Sequence, residues 1–321
     1  MRSSAGAGHA GYVHEHAIYD TDDELVDIVV PFLRDGIAAG EPTIVGGSAR
    51  TVRLIRRAVG DLAVQFVPRG DPRERRPGPT LRAYHSIFTD LVAAGATRVR
   101  VVGDVPHPGV GADWHGWFRH EAAANVAFAP LPVWGICHYD TRITPAAVLD
   151  DVRCTHPFAA DRTGGHNPEP GFVEPGAFVA GHPLRRAPSL RASDPDHELE
   201  DPSPAELRAA VRRMADDVLA RGAIDDLPLA ATEILANALE HGRSPTVARL
   251  WVGSNDVVVG VADAGPGPSD PLAGLVPPPP GRPGGRGLWI AHQLCTDVRF
   301  TDRPGFEVQL RMSANGLPIG G

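Results

Sequence analysis

Four-residue spacing links polar side chains in the run Glu233-Ile-Leu-Ala-Asn237-Ala-Leu-Glu-His241. On a helix that spacing sets Glu233, Asn237 and His241 on one stripe, with Ile234, Leu235, Ala238 and Leu239 expected on an opposite, buried side. The amide oxygen of Asn237 is a hard ligand suited to Mg2+, an ion that bridges phosphates. A carboxylate one turn earlier, Glu233, can orient or deprotonate an attacking hydroxyl. A solvated helix face shows the same pattern. A second group, Asp263-Ala-Gly265-Pro-Gly267, follows an apolar run. A carboxylate at a strand end can accept from an exocyclic amine such as that of adenine, and glycines let the backbone approach a flat ligand. The same residues also make an ordinary turn. A third group, Gly284-Gly285-Arg286-Gly287-Leu288, opens a helix, where free N–H groups and a partial positive charge suit phosphate.

These groups need elements to hold them. Ser203-Pro-Ala-Glu206 is a capping box with Pro at the first helical position. Leu207, Val211, Met214 and Val218 continue at helical spacing, and Gly222 is expected to end that helix. A second helix is expected over 228–241, strands over 247–252 and 257–262, a short helix over 287–295, and strands near 298–300 and 306–312. That succession predicts an α+β sandwich of helices on a mixed sheet over 203–312. Upstream, apolar runs at 42–45, 63–67, 98–102 and 133–137 alternate with helical patterns near 23–39, 49–59, 80–94 and 113–128. This alternation predicts an α/β domain with a mainly parallel sheet over 12–158. Between them, 159–202 loses its apolar periodicity and reads as a Pro/Gly-rich linker, although Phe172, Phe178 and Val179 would suit an arm docked on one domain.

The order of helix, hairpin, aspartate loop, Pro-rich lid at 277–280 and glycine-led helix resembles the GHKL (Bergerat-fold) ATPase family. Within it, the anti-sigma-factor serine kinases are the nearest likeness. The resemblance implies ATP and Mg2+ as cofactors. It implies that Asn237 ligates Mg2+ and that Glu233 is the general base. Asp263 would take the adenine amino group, Gly265 and Gly267 would allow adenine and lid packing, and Gly285, Arg286 and Gly287 would face phosphate. His241 matches the subgroup's pattern without an assigned role. The implied partners are a sigma factor or its anti-sigma-factor antagonist. Sensor histidine kinases share the ATPase, but the nearest candidate phosphoacceptor, His197, is crowded by Pro195, Pro202 and Pro204, and helix-interior Pro costs about 3 kcal/mol.

The first domain resembles the MEDS family, a sensory domain named for methanogens, methylotrophs and the dichloromethane regulator. The likeness rests on His16-Ala-Ile-Tyr19-Asp20, Gly40-Glu41-Pro42, the segment 98–104, Arg119-His-Glu121 through Asn125, Cys137-His-Tyr139-Asp140 and Thr155-His156-Pro157, with Asp104 where many relatives carry Glu. It implies a RecA/KaiC-like fold and a small organic ligand. His16, Glu121, Cys137 and His156 are the candidate sensory-site residues. Ligands of open α/β sheets gather beyond strand carboxyl ends, where Cys137 and Asp140 are expected. Cys137 reads more readily as a small buried apolar residue, and a metal site has no short-range spacing to support it. Trp114, Trp117 and Phe118 read as helix core.

Composition narrows the classes. All 31 basic residues are Arg, so a P-loop lysine and Schiff-base chemistry are excluded. A net charge of -8 without a basic half or a helix-turn-helix argues against nucleic acid as a partner. Three scattered cysteines make no disulfide framework, and the absence of a long apolar run argues against a membrane span. The expectation is a cytoplasmic signalling regulator, with a homodimer allowed. The rivals to a serine/threonine kinase are a nucleotide-gated binding module and an orphan histidine kinase.

Overall fold

β-branched runs that bury both faces build the centre of the first of two units, Met1–Val179 and Ala180–Gly321. The structure is a computed structural model that describes residues 11–68, 75–185, 189–277, 285–301 and 305–314. The first unit runs β1 (Val13–Tyr19), α1 (Asp22–Ala38), β2 (Thr43–Gly47), α2 (Ala49–Val59), β3 (Gln65–Pro68), α3 (Pro77–Ala93), β4 (Val99–Asp104), α4 (His115–Ala127), β5 (Val133–Asp140), α5 (Ala146–Thr155), β6 (Phe158–Ala160) and β7 (His166–Pro168). The helix α6 (Pro175–Gly181) follows. Strand order is β3-β2-β4-β5-β1-β6-β7, parallel at every pairing except β6 with β7. On one face, α1 and α2 pack Leu25, Ile28, Phe32, Leu33 and Ile55 against Val13, Val45, Val102 and Ile136. The side chains of α3 and α4 cover the other face.

The mainly parallel sheet and its helices stand as expected, but β1 was not foreseen. Its sequence, Val-His-Glu-His-Ala-Ile-Tyr, carries three consecutive polar residues that are nevertheless buried, so its apolar run is broken. Arg100 is equally deceptive. It is 1% exposed on β4, donates to Glu41 Oε2 (2.5 Å) and to the Phe32 carbonyl (2.8 Å), and lies over the Phe32 and Trp134 rings.

The second unit contains β8 (His197–Glu200), α7 (Pro204–Ala215), α8 (Arg221–His241), β9 (Val247–Val252), β10 (Asp256–Asp263), α9 (Gly287–Leu294), β11 (Asp297–Thr301) and β12 (Phe306–Ser313). The order is β11-β12-β10-β9-β8, and every pairing is antiparallel where a mixed sheet was expected. The capping box at Ser203 and Glu206 forms in both directions. Gly222 does not end α7. It lies in the first turn of α8, which starts seven residues before Pro228 because Ala223 and Leu227 bury against the core. Ile234, Leu235 and Ala238 are buried as expected, whereas Leu239 is 54% exposed.

The stretch expected as a linker, 159–202, holds ordered elements and divides between the two units. Its first part pairs as β6 and β7, and Phe178 and Val179 are buried. Its last part covers the sheet face opposite the helices. There Trp251 donates to the Ser193 carbonyl (3.0 Å), Leu190 N donates to Gln309 Oε1 (2.7 Å), and Val252 N donates to Asp196 Oδ2 (2.7 Å). β8 then adds to the sheet edge beside β9.

Removing one partner of a buried ion pair leaves the other uncompensated. Arg100→Met is therefore expected to cost about 3–5 kcal/mol in urea denaturation, and the double variant Glu41→Met/Arg100→Met to recover part of that loss. Equal destabilisation by both variants would contradict the pairing.

Candidate functional site

The second half of α8 carries the residues picked out by four-residue spacing. Glu233 and Asn237 are half-buried, and neither makes a side-chain hydrogen bond or ion pair among the described residues. The first turn of α9 lies directly on them. A Cβ at Gly287 would fall 2.8 Å from Asn237 Nδ2 and 3.2 Å from the Glu233 carbonyl, so a larger residue there would have to displace the Asn237 amide. Gly285 takes a positive φ of 74°, and Arg286, at the start of α9, is exposed without an ion-pair partner among the described residues. The first N–H groups of a helix have no carbonyl within it, so this end of α9 is a polar, partly positive surface beside a free carboxylate and a free amide. Gly284 and the prolines 278–280 of the expected lid lie outside the described residues; Pro277 lies inside them.

About 7 Å further along, at 1.5 Å per residue, α8 ends on the aspartate loop. A Cβ at Gly242 would fall 2.5 Å from Asp263 Cγ. Asp263, 7% exposed at the end of β10, accepts through Oδ1 from Gly265 N (2.6 Å) and Arg243 N (3.2 Å). Its Oδ2 has no hydrogen-bond partner among the described residues. Gly267, with φ 78°, packs on the Phe306 ring. One helix thus joins the Glu233–Asn237–Gly287 contact to the Gly242–Asp263–Gly265 contact. His241 is exposed, and its described contact is Glu240 at 3.9 Å.

In the first unit, Glu121 of α4, Cys137 of β5 and His156 at the end of α5 come together with His14 of β1. The fourth expected residue, His16, instead pairs with Glu169 (2.9 Å). His14 was missed. It shares a strand face with His16 at a spacing of two, and that alternation was the available signal. Cys137 is not at a strand end, because β5 continues to Asp140. Burial lowers the ordinary pKa of His156 to about 4 and raises that of the Cys137 thiol. Beside this cluster a cavity of about 60 Å3 is lined by Tyr12, Phe88, Trp117 and Phe128 together with His14 and Cys137. Trp114, Trp117 and Phe118 are buried as helix core.

At the strand ends, where a ligand was expected, the carboxylates of Asp104 and Asp140 are engaged by internal bonds. Asp104 accepts from Ser48 N (2.8 Å), Thr51 Oγ1 (2.8 Å) and Arg75 (2.8 Å), and Asp140 pairs with Arg142 (2.6 Å). The cavity lies against the sheet face beside α3 and α4 and reaches the carboxyl end of β4 at Asp104 and Val105.

Comparison with known families agrees with this architecture. Residues 13–157 match the family model described as the MEDS, methanogen/methylotroph, DcmR sensory domain. Residues 201–313 match that of the histidine kinase-like ATPase domain. The chain therefore joins a MEDS sensory domain to a histidine kinase-like ATPase domain, which makes it a signalling regulator with an ATP-binding module. No curated protein matches it. Among the described residues no helix is long and apolar enough to cross a membrane.

Near the strand ends, His107 accepts from Gly109 N through Nδ1 (3.2 Å), and burial lowers its pKa below the usual 6.5. A histidine held neutral in the fold binds its proton more readily when unfolded. Its contribution to stability is complete above about pH 6.5 and is lost as the pH falls below that value. An NMR titration, with the His107 signals assigned through His107→Gln, should show this ring protonating only below pH ~6.5. Titration at or above that value would contradict the placement.

Proposed function

We propose that the ATPase domain is an ATP-dependent protein serine/threonine kinase of the anti-sigma-factor type, governed by the MEDS domain. The observation that carries the reading is the close approach of Gly287 to Asn237 and Glu233, which leaves a free carboxylate and a free amide beside a helix N-terminus. A hard oxygen donor next to unpaired backbone N–H groups fits an Mg-nucleotide. The Oδ2 of Asp263, at the far end of the same helix segment, fits an exocyclic amine.

On this reading Asn237 holds Mg2+, which supplies charge neutralisation across the phosphates. Asp263 accepts from the adenine amino group while Gly265 and Gly267 allow the ring to approach, and Gly285, Arg286 and Gly287 hold phosphate. Glu233 takes the proton of the attacking serine or threonine hydroxyl as its oxygen bonds the γ-phosphorus and the bond to the β-bridging oxygen breaks, releasing ADP. The acceptor is a sigma factor's antagonist, and the sigma factor itself is a second partner, in the cytoplasm. The MEDS domain, taken as RecA/KaiC-like, supplies the input by binding a small organic ligand. An acceptor histidine within the chain is disfavoured, because His197 lies on the edge strand β8 and not on a helical hairpin.

Partners captured from the native host with and without ATP, then incubated with labelled ATP, test the reading. Acid-stable phosphate on a captured partner is expected. Glu233→Ala should lower transfer by at least about 100-fold with ATP affinity retained, and Asp263→Asn should weaken ATP binding by about tenfold, the loss of one charged hydrogen bond. Acid-labile phosphate on the chain itself would make it a histidine kinase. Nucleotide-dependent capture without transfer would make it a binding module.

A further inference from the structure

Two buried imidazoles in the MEDS domain have their tautomers fixed by their neighbours. His156 Nδ1 lies 2.8 Å from the Val152 carbonyl, which can only accept, so Nδ1 carries the hydrogen. His14 Nδ1 lies 3.1 Å from Asn125 Oδ1. That amide is itself oriented, because Asn125 Nδ2 donates to the carbonyls of Glu121 (3.1 Å) and Thr155 (2.8 Å). Oδ1 is therefore an acceptor, and His14 also donates through Nδ1. Each neutral ring is left with a lone pair on Nε2.

Both lone pairs face the Glu121 carboxylate, and that of His14 also faces the Cys137 sulfur. His156 Nε2 stands 3.0 Å from Glu121 Oε2, and His14 Nε2 stands 3.5 Å from the same oxygen and 3.4 Å from Cys137 Sγ. His14, Glu121 and His156 are each at most 1% exposed, yet neither His156 Nε2 nor Glu121 Oε2 makes a hydrogen bond of acceptable geometry. A carboxylate facing two imidazole lone pairs in a buried pocket is repulsive unless something positive lies between them. Zinc bonds of ~2.0–2.3 Å place tetrahedral ligands ~3.3–3.8 Å apart. The separations of 3.4 and 3.5 Å fall in that range, that of 3.0 Å lies slightly below it, and all four ligand atoms fall within 4.8 Å of one another. The hydrogen bonds at Nδ1 are the outer support that metal-binding imidazoles require.

We propose that His14, Glu121, Cys137 and His156 form a site for a divalent transition-metal ion, Zn2+ foremost. Two nitrogens and a sulfur select against Mg2+ and Ca2+. The site is independent of the nucleotide reading. Because His14, Glu121 and Cys137 also line the aromatic cavity, the bound ion fronts the space in which a small ligand would be held.

The test uses the untagged full chain, stripped of metal by a chelator and titrated with Co2+. One equivalent should bind, with a thiolate-to-cobalt charge-transfer absorption and release of about one proton in weak buffer as the Cys137 thiol ionises. Cys137→Ser should abolish that absorption, and Cys154→Ser and Cys295→Ser should keep it. His156→Gln should lower Co2+ affinity by at least about tenfold. Circular dichroism checks that each variant is folded. A folded wild-type chain that takes up no Co2+, or an absorption that survives Cys137→Ser, would overturn the site. Nitrogen NMR showing both ring nitrogens of His14 and His156 protonated without metal would assign the cluster to buried ion pairs instead.

Discussion

A side chain at position 287 would press on the Asn237 amide and on Glu233. The amide of Asn237 and the backbone of Glu233 occupy the space a Cβ would need, so α9 rests its first turn directly on α8. Much of the second unit serves that contact. The apolar side of α8, through Leu227, Ala231, Ile234 and Leu235, locks the helix onto the sheet, and Ala291 of α9 joins the same core. The polar side is then held at fixed height against unpaired backbone N–H groups. A second tight approach, Gly242 on Asp263, fixes the other end of the helix against the sheet's central strand. Two glycine contacts, not a network of side-chain bonds, set the distance between the polar groups.

The second unit was legible because its chemistry lies on regular elements. Spacing of four placed Glu233 and Asn237 on one face, and the run of valines in β10 marked where Asp263 would fall. What was not legible depended on tertiary packing. The start of α8 was misplaced because Pro228 looks like a first-turn residue, whereas burial of Ala223 and Leu227 carries the helix further upstream. Leu239 was assigned to the core by type, but it is 54% exposed near the end of α8.

The first unit shows the opposite weighting. Its apolar strands were visible, yet the strand next to the centre, β1, carries His14, Glu15 and His16 and hides behind its polarity. These residues are inside because each bonds a neighbour: Glu15 with His166 of β7, His16 with Glu169, and His14 with Asn125. A pattern reader scores polarity by residue type, whereas the fold satisfies it by pairing elements far apart in sequence. The candidate residues Glu121, Cys137 and His156 were found by resemblance, and the missing fourth, His14, required the sheet register that sets β1 beside β5.

The covering of the sheet's outer face by residues 189–196, and of its edge by β8, bears on where the ATPase domain begins. Homology alone would start it at residue 201. A chain cut there would bare the indole of Trp251 and the open backbone of β9, which is a template for self-association. The folding unit therefore begins upstream of the conserved-family boundary, and the residues that look dispensable between two domains act as the second domain's own outer skin.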